Sequence, residues 1–309
     1  MPDGKSEMSG AAHHSRYLDT GQDWSAGSFS DAELDRMSQW YVGTHGEGSL
    51  DLVQFVEFWA ELRPEALKAY RRAIETTVGP EGFDSGLGGA SAFAVLHTYT
   101  VLAYPQGVLY EIISARSRGA TKAEVTDVLS VAWLHSGTAG MNTAAAAVRE
   151  YMRSWEPAEP GPGMPFPAGW AADPGAFRAG LDFNDMTTVT GAELEALENW
   201  HQRVQGAVPA YVPFLARHYP VALKVFRARY ESVLTQCSLP KQMIAVCFLH
   251  TAAFRQQPDA VRRAAAMAKA FGVTRGQALH ALASAHRYLG DLFADAAFEP
   301  AAALFEDWD

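Results

Sequence analysis

Glu111 is a lone carboxylate between Tyr110 and Ile112-Ile113, in a largely apolar stretch. Withdrawing a carboxyl group from water raises its pKa, and an acid that titrates near neutral pH can both deliver and accept a proton. Helical spacing puts Val108 and Ala115 on the same face, so Glu111 is predicted to point inward as a general acid/base. The plainer reading is an exposed helix charge near Arg118. His97 and His250 each lie in Leu-His-Thr with apolar flanks, as proton-transfer or ligand-holding groups, or as core histidines bonded across the structure. His135 closes a helix in Trp133-Leu-His-Ser-Gly137, where the helix dipole favours a cation; an acid, base or carboxylate anchor is the functional alternative. The hydroxyls of Tyr104 and Tyr110 can donate to a substrate oxygen, or the two rings can simply pack. The candidate catalytic set is therefore Glu111, His135 and His97, with Tyr104, Tyr110 and His250 as candidate substrate-binding residues.

Other chemistries find less support. Cys237 and Cys247 form no CxxC and read as buried free thiols; a thiol peroxidase needs both exposed and close together. No HxxxH, HxH or ExxH pair joins His97, Glu111 and His135, and His280 and His286 face different sides of a helix, so no metal site or other cofactor is expected. With 25 basic and 35 acidic residues the net charge is -10, and no basic run exceeds two residues, which argues against nucleic acid and anionic membrane as partners. No window approaches the ~18–20 apolar residues that span a bilayer. The polar start, Met1 to Gln22, lacks a secretory core, so a cytoplasmic protein acting on a small molecule is expected.

The elements that must position these residues read as all-α. Ser30-Asp-Ala-Glu33, Thr121-Lys-Ala-Glu124, Thr190-Gly-Ala-Glu193 and Thr274-Arg-Gly-Gln277 are capping boxes at helix starts. The first helix is expected to end at Gly43, a buried one to run from Leu52 to Leu62, and one opening on Pro64 to run to about Thr76. Residues 155–180, rich in Pro and Gly yet carrying Trp155, Phe166, Trp170 and Phe177, are either a linker pinned by aromatics or a lid. Self-similarity is the most informative feature. Pro64-Glu-Ala-Leu-Lys-Ala-Tyr-Arg71 recurs as Pro220-Val-Ala-Leu-Lys-Val-Phe-Arg227. In one ungapped register, Leu96-His-Thr98 matches Leu249-His-Thr251, Pro105 matches Pro258, Gly119 matches Gly272, Thr121 matches Thr274 and Gly137 matches Gly290. Each copy reads as three helices, predicted over about 92–104, 106–118 and 122–136, and over 245–257, 259–271 and 275–289, packed on each other about a pseudo-twofold axis.

The segment from Ala92 to Val148, whose core reads YEIISARSRGATKAEVTDVLSVAWLHSGTAGMNTAAAAV from Tyr110, resembles the carboxymuconolactone decarboxylase / alkylhydroperoxidase-D-like superfamily, and Ala245 to Asp295 resembles it more weakly. The resemblance implies an all-α fold of two duplicated repeats forming a pseudo-dimer, within a homo-oligomer. Together with the composition, which reads as a flexible Gly/Ser-rich leader at 1–29 and a Pro/Gly/aromatic-rich insert and helix at 151–205, it divides the chain into a first repeat at 30–150 and a degenerate second repeat with the tail at 206–309. The family's peroxidase branch carries CxxC and a following His; here those columns fall on Tyr104, Gly107 and Glu111, and on Gln257, Ala260 and Ala264 in the second copy. The residues thereby contradict that branch's thiol chemistry, which leaves a thiol peroxidase using Cys237 and Cys247 as the least favoured reading. What remains is a lyase- or hydrolase-like enzyme using acid/base catalysis on a small carbonyl, lactone or carboxylate substrate, with a non-catalytic ligand- or partner-binding scaffold as the rival.

Overall fold

Each capping box read from the sequence starts a helix. In the computed structural model, which describes residues 22–23, 25–77, 87–155, 161–290 and 294–308, Ser30, Thr121, Thr190 and Thr274 accept from the backbone N–H three residues on. Glu33, Glu124, Glu193 and Gln277 return the bond to the N–H of the cap. All regular structure among the described residues is helical, and apart from single turns such as Ser49–Leu52 and Gly88–Ala90 it comprises α1 Asp31–His45, α2 Gln54–Leu62, α3 Pro64–Thr77, α4 Ser91–Val101, α5 Pro105–Ser117, α6 Lys122–Ser154, α7 Gly191–Gln205, α8 Tyr211–His218, α9 Pro220–Gln236, α10 Lys241–Phe254, α11 Pro258–Ala270, α12 Arg275–Leu289 and α13 Ala294–Glu306. Most of the leader expected at 1–29 lies outside the described residues.

The centre of the molecule is α4 against α10. Residues 92–98 and 242–253 are buried without interruption, the pattern of helices apolar all round and enclosed by others. Helices α5 and α6 close over α4, while α11 and α12 close over α10 and α13 covers α11. The segment 161–190 is irregular apart from a 3-10 turn at Pro174–Phe177. It is pinned down: Met164, Phe177 and Leu181 are in the core, and the Ala179 N–H donates to the Glu231 carboxylate at 2.9 Å.

Three local expectations are corrected. Helix α1 runs through Gly43 to His45 and closes at Gly46, whose φ of +91° supplies the turn. Of α2 only Val56 is buried, while Phe55, Phe58, Trp59 and Leu62 are exposed, because this helix lies at an edge with protein on one side only. The helix expected to finish near Gly137 resumes beyond it to Ser154, with Gly137 (φ +62°, ψ −167°) as a break inside α6.

Backbone and contacts recur along the chain. The bend before α3 at Arg63 (φ −153°, ψ 66°) returns before α9 at Tyr219 (φ −154°, ψ 68°). Positive φ occurs at Ala103 and Gln256 (+55° and +52°), at Gly119 and Gly272, and at Gly137 and Gly290. The buried pair Glu33–Lys68 (3.1 Å) has a like in Glu193–Lys224 (2.7 Å). Arg71 lies 4.4 Å over the Trp40 ring, and Arg227 lies 4.1 Å over that of Trp200. At the α4–α10 crossing the two Leu-His-Thr segments bond reciprocally. His97 Nδ1 meets Thr251 Oγ1 at 2.6 Å, His250 Nδ1 meets Thr98 Oγ1 at 2.6 Å, and the two threonine hydroxyls meet at 2.7 Å.

Candidate functional site

Glu111 sits mid-helix on α5, and its neighbours Val108 and Ala115 carry that face into the core. The residue is 4% exposed, and no described residue donates a hydrogen bond to its carboxyl group. It opens into a cavity of about 170 Å³ between α1, α3, α4, α5 and the end of α12. Burial lifts its pKa to about 7, opposed by the guanidinium groups of Arg118 and Arg287.

The cavity holds three arginines, Arg71, Arg118 and Arg287, against this one carboxyl group. Arg118 Nη2 lies 3.1 Å from His45 Nε2. A guanidinium can only donate, so Nε2 of His45 is the acceptor and the ring is neutral. Burial, then Arg118, depresses the His45 pKa well below its ordinary value. The same imidazole stacks on Tyr110 at 5.3 Å. Arg287 donates to Tyr288 Oη at 2.6 Å, and the Nε atoms of Arg118 and Arg287 are buried without a partner among the described residues. Burial raises the pKa of Tyr70, Tyr99, Tyr110 and Tyr288, so these phenols keep their protons and serve as donors. At Gly107 a Cβ would collide with the rings of Tyr99 and Tyr104, so the missing side chain lets both rings lie against the start of α5. One titrating carboxyl group thus faces a cationic, donor-rich cavity.

The predicted residues divide between two places. Glu111, Tyr104 and Tyr110 line this cavity together. His135 does not: it lines a second cavity, of about 640 Å³, with its ring 4.4 Å from that of Phe248. Desolvation by the surrounding protein lowers its pKa. His97 and His250 are wholly buried in the α4–α10 crossing and line neither cavity. Burial depresses both pKa values, His250 to about 3, so both rings are neutral. Three short contacts among two hydroxyls and two imidazoles require three protons, so at least one ring carries its proton on Nδ1. Both cysteines are buried and unpaired, and burial raises both thiols, Cys237 to about 12. No cluster of three or more His, Cys, Asp or Glu suited to a metal ion occurs among the described residues, and no described helix is long and apolar enough to cross a membrane.

His45, Arg71, Arg287 and Tyr288 were not legible as site residues, since they arrive from α1, α3 and the far end of α12. One signal existed. The register that matches Gly137 to Gly290 also matches Leu134-His135 to Arg287-Tyr288, and these pairs line the second and first cavity respectively. No family model, curated protein or solved structure matches this chain.

Proposed function

We propose that the chain is a tandem-duplicated, non-redox enzyme of the carboxymuconolactone decarboxylase-like type, cytoplasmic and homo-oligomeric, that moves a proton on a small carbonyl, lactone or carboxylate substrate in the first cavity. The buried Glu111 carboxyl, with a pKa of about 7 and no hydrogen-bond donor among the described residues, carries this reading. Near neutral pH it exists in both forms, the condition under which one group serves as acid and base. Arg118 and Arg287 hold the ionised form down in pKa, so a substrate carboxylate neutralising them raises Glu111 and favours the protonated acid. Tyr104 and Tyr110 orient the substrate oxygen. At about 170 Å³ the cavity is below the roughly 300–1,000 Å³ of sites for drug-sized ligands, which restricts the substrate to a few carbons. Decarboxylation, ring opening, hydration and isomerisation all use this proton transfer. A panel of small lactones and oxo- or unsaturated acids, followed by proton uptake and product NMR, tests it. Glu111→Gln should lower turnover roughly 10²–10⁴-fold with the fold intact.

A second reading, a binding scaffold without catalysis, is favoured by the fixing of His45 as an acceptor for Arg118, which leaves Glu111 without a second titrating partner. A panel member that binds in the first cavity, stays unchanged, and binds Glu111→Gln as tightly would support that reading and overturn the enzyme.

A further inference from the structure

The larger second cavity has a chemistry of its own. Where α5 places Glu111 at the first cavity, the matched position on α11 is Ala264, so no carboxyl group lines the second. Its polar groups are instead cations, imidazoles, amides and phenols. Arg255 and Arg263 line it, and neither guanidinium forms an ion pair or hydrogen bond with a described residue. Arg227 is different, being tied to Glu231 at 2.8 Å and to the Phe177 carbonyl. Aromatic rings from Phe226, Phe248, Tyr211 and Tyr230 supply much of the apolar wall.

One group points to a ligand directly. His201, 3% exposed and lining the cavity, has Nδ1 engaged with Gln205 Oε1 at 2.7 Å. An amide oxygen only accepts, so Nδ1 carries the proton and Nε2 is left as a bare acceptor. That Nε2 is buried and has no partner among the described residues, and the same holds for the Tyr230 hydroxyl. Burial lowers the His201 pKa to about 4, which keeps Nε2 unprotonated at neutral pH. Unpaired buried polar atoms are costly, and a ligand that pairs them recovers the loss.

We propose that the second cavity is a separate ligand site for an aromatic carboxylate that also carries a hydroxyl group. The carboxylate is held by Arg255 and Arg263, the ring lies among the aromatic walls, and the hydroxyl donates to His201 Nε2. At about 640 Å³ the cavity takes a one- or two-ring acid, within the usual range of small-molecule sites. Ala264 supplies no counterpart to Glu111, so the proton transfer assigned to the first cavity has no carboxyl group to carry it here.

Calorimetric titration of the full chain with 6-hydroxy-2-naphthoate, 2-naphthoate and neutral 2-naphthylmethanol tests each part. The expected order of affinity is that order, with single-site stoichiometry. Arg255→Ala combined with Arg263→Ala should weaken both naphthoates roughly tenfold or more, the scale of charge-assisted hydrogen bonds, while leaving 2-naphthylmethanol unchanged. His201→Phe should erase the advantage of the hydroxylated acid; thermal unfolding of each variant monitors the fold. Equal binding of 2-naphthoate and 2-naphthylmethanol overturns the anion subsite, and equal binding of the two acids overturns the pairing with His201. Glu111→Gln should leave all three affinities unaltered; a loss there places the ligand in the first cavity and overturns the assignment.

Discussion

Glu111 can be tested through stability as well as turnover. Its ordinary pKa of 4.5 describes the unfolded chain, and about 7 the folded one. Between these values the folded state holds a proton that the unfolded state has released. The contribution of this group to stability is therefore complete below pH 4.5 and lost as pH rises to 7. The difference amounts to about 3 kcal/mol. Glu111→Gln, which cannot ionise, should gain that much on the wild type between pH 4.5 and pH 8, as read from urea unfolding at both values. A constant difference across the range would mean that the carboxyl group titrates normally, and the acid/base role would fall. The burial of Glu111 was legible because its face is written locally, in Val108 and Ala115. The cavity to which His135 belongs was not, since helical spacing says nothing about which neighbouring helix a side chain meets. Glu111 lines one cavity and His135 the other.

At the scale of elements, the α4–α10 crossing is joined by the His–Thr chain as well as by apolar contact. Thr98→Val keeps the shape but strands His250 Nδ1 and one side of the Thr251 hydroxyl in the core. Each stranded group costs about 1–3 kcal/mol. Thr100 is an internal control: equally buried, its hydroxyl bonds only to the Leu96 carbonyl within α4. Thr98→Val should therefore lower stability by clearly more than Thr100→Val in chemical denaturation. The break in α6 gives a second test. Gly137 has a φ, ψ combination that is essentially restricted to glycine, and a Cβ there would meet open space, so the cost of Gly137→Ala is backbone strain alone. That cost should be roughly 1–3 kcal/mol in the melting curve. The sequence marked Gly137 as a helix stop because glycine signals positive φ. It could not show that a new helix begins at once, since a positive-φ glycine reads the same whether the chain leaves the helix or resumes it.

The whole molecule is less even than its repeated motifs suggest. A single hydrophobic core runs from Leu87 to Trp308 and takes in α7 to α9 through Leu197, Trp200, Val212 and Leu223. The N-terminal helices α1 to α3 have a core of their own, built on Met37, Tyr41, Val56 and Leu67. The first cavity lies along the seam: Tyr41, His45, Tyr70 and Arg71 line one side, and Tyr99, Glu111, Arg118 and Tyr288 the other. Sequence repetition related the start of α3 to that of α9, but could not show that α9 is fused to the main core while α3 belongs to a layer resting against it across a polar cavity. Apolar area sets the free energy of local opening, so α1 to α3, with four buried anchors and exposed Phe55, Phe58, Trp59 and Leu62, should open without the rest unfolding. Opening of that layer would expose Glu111 and give the proposed small substrate a route to it. Native-state hydrogen exchange checks this directly. Amides of α1 and α3 should exchange well ahead of those in α7 and α9, and those of α10 should exchange only with global unfolding. A small carboxylate that occupies the first cavity should slow α1 and α3 selectively, because its contacts bridge the two sides of the seam. Equal protection of α1 and α7 would show that the N-terminal helices belong to one cooperative unit with the main core, and substrate would then have to enter past the exposed ring of Tyr104.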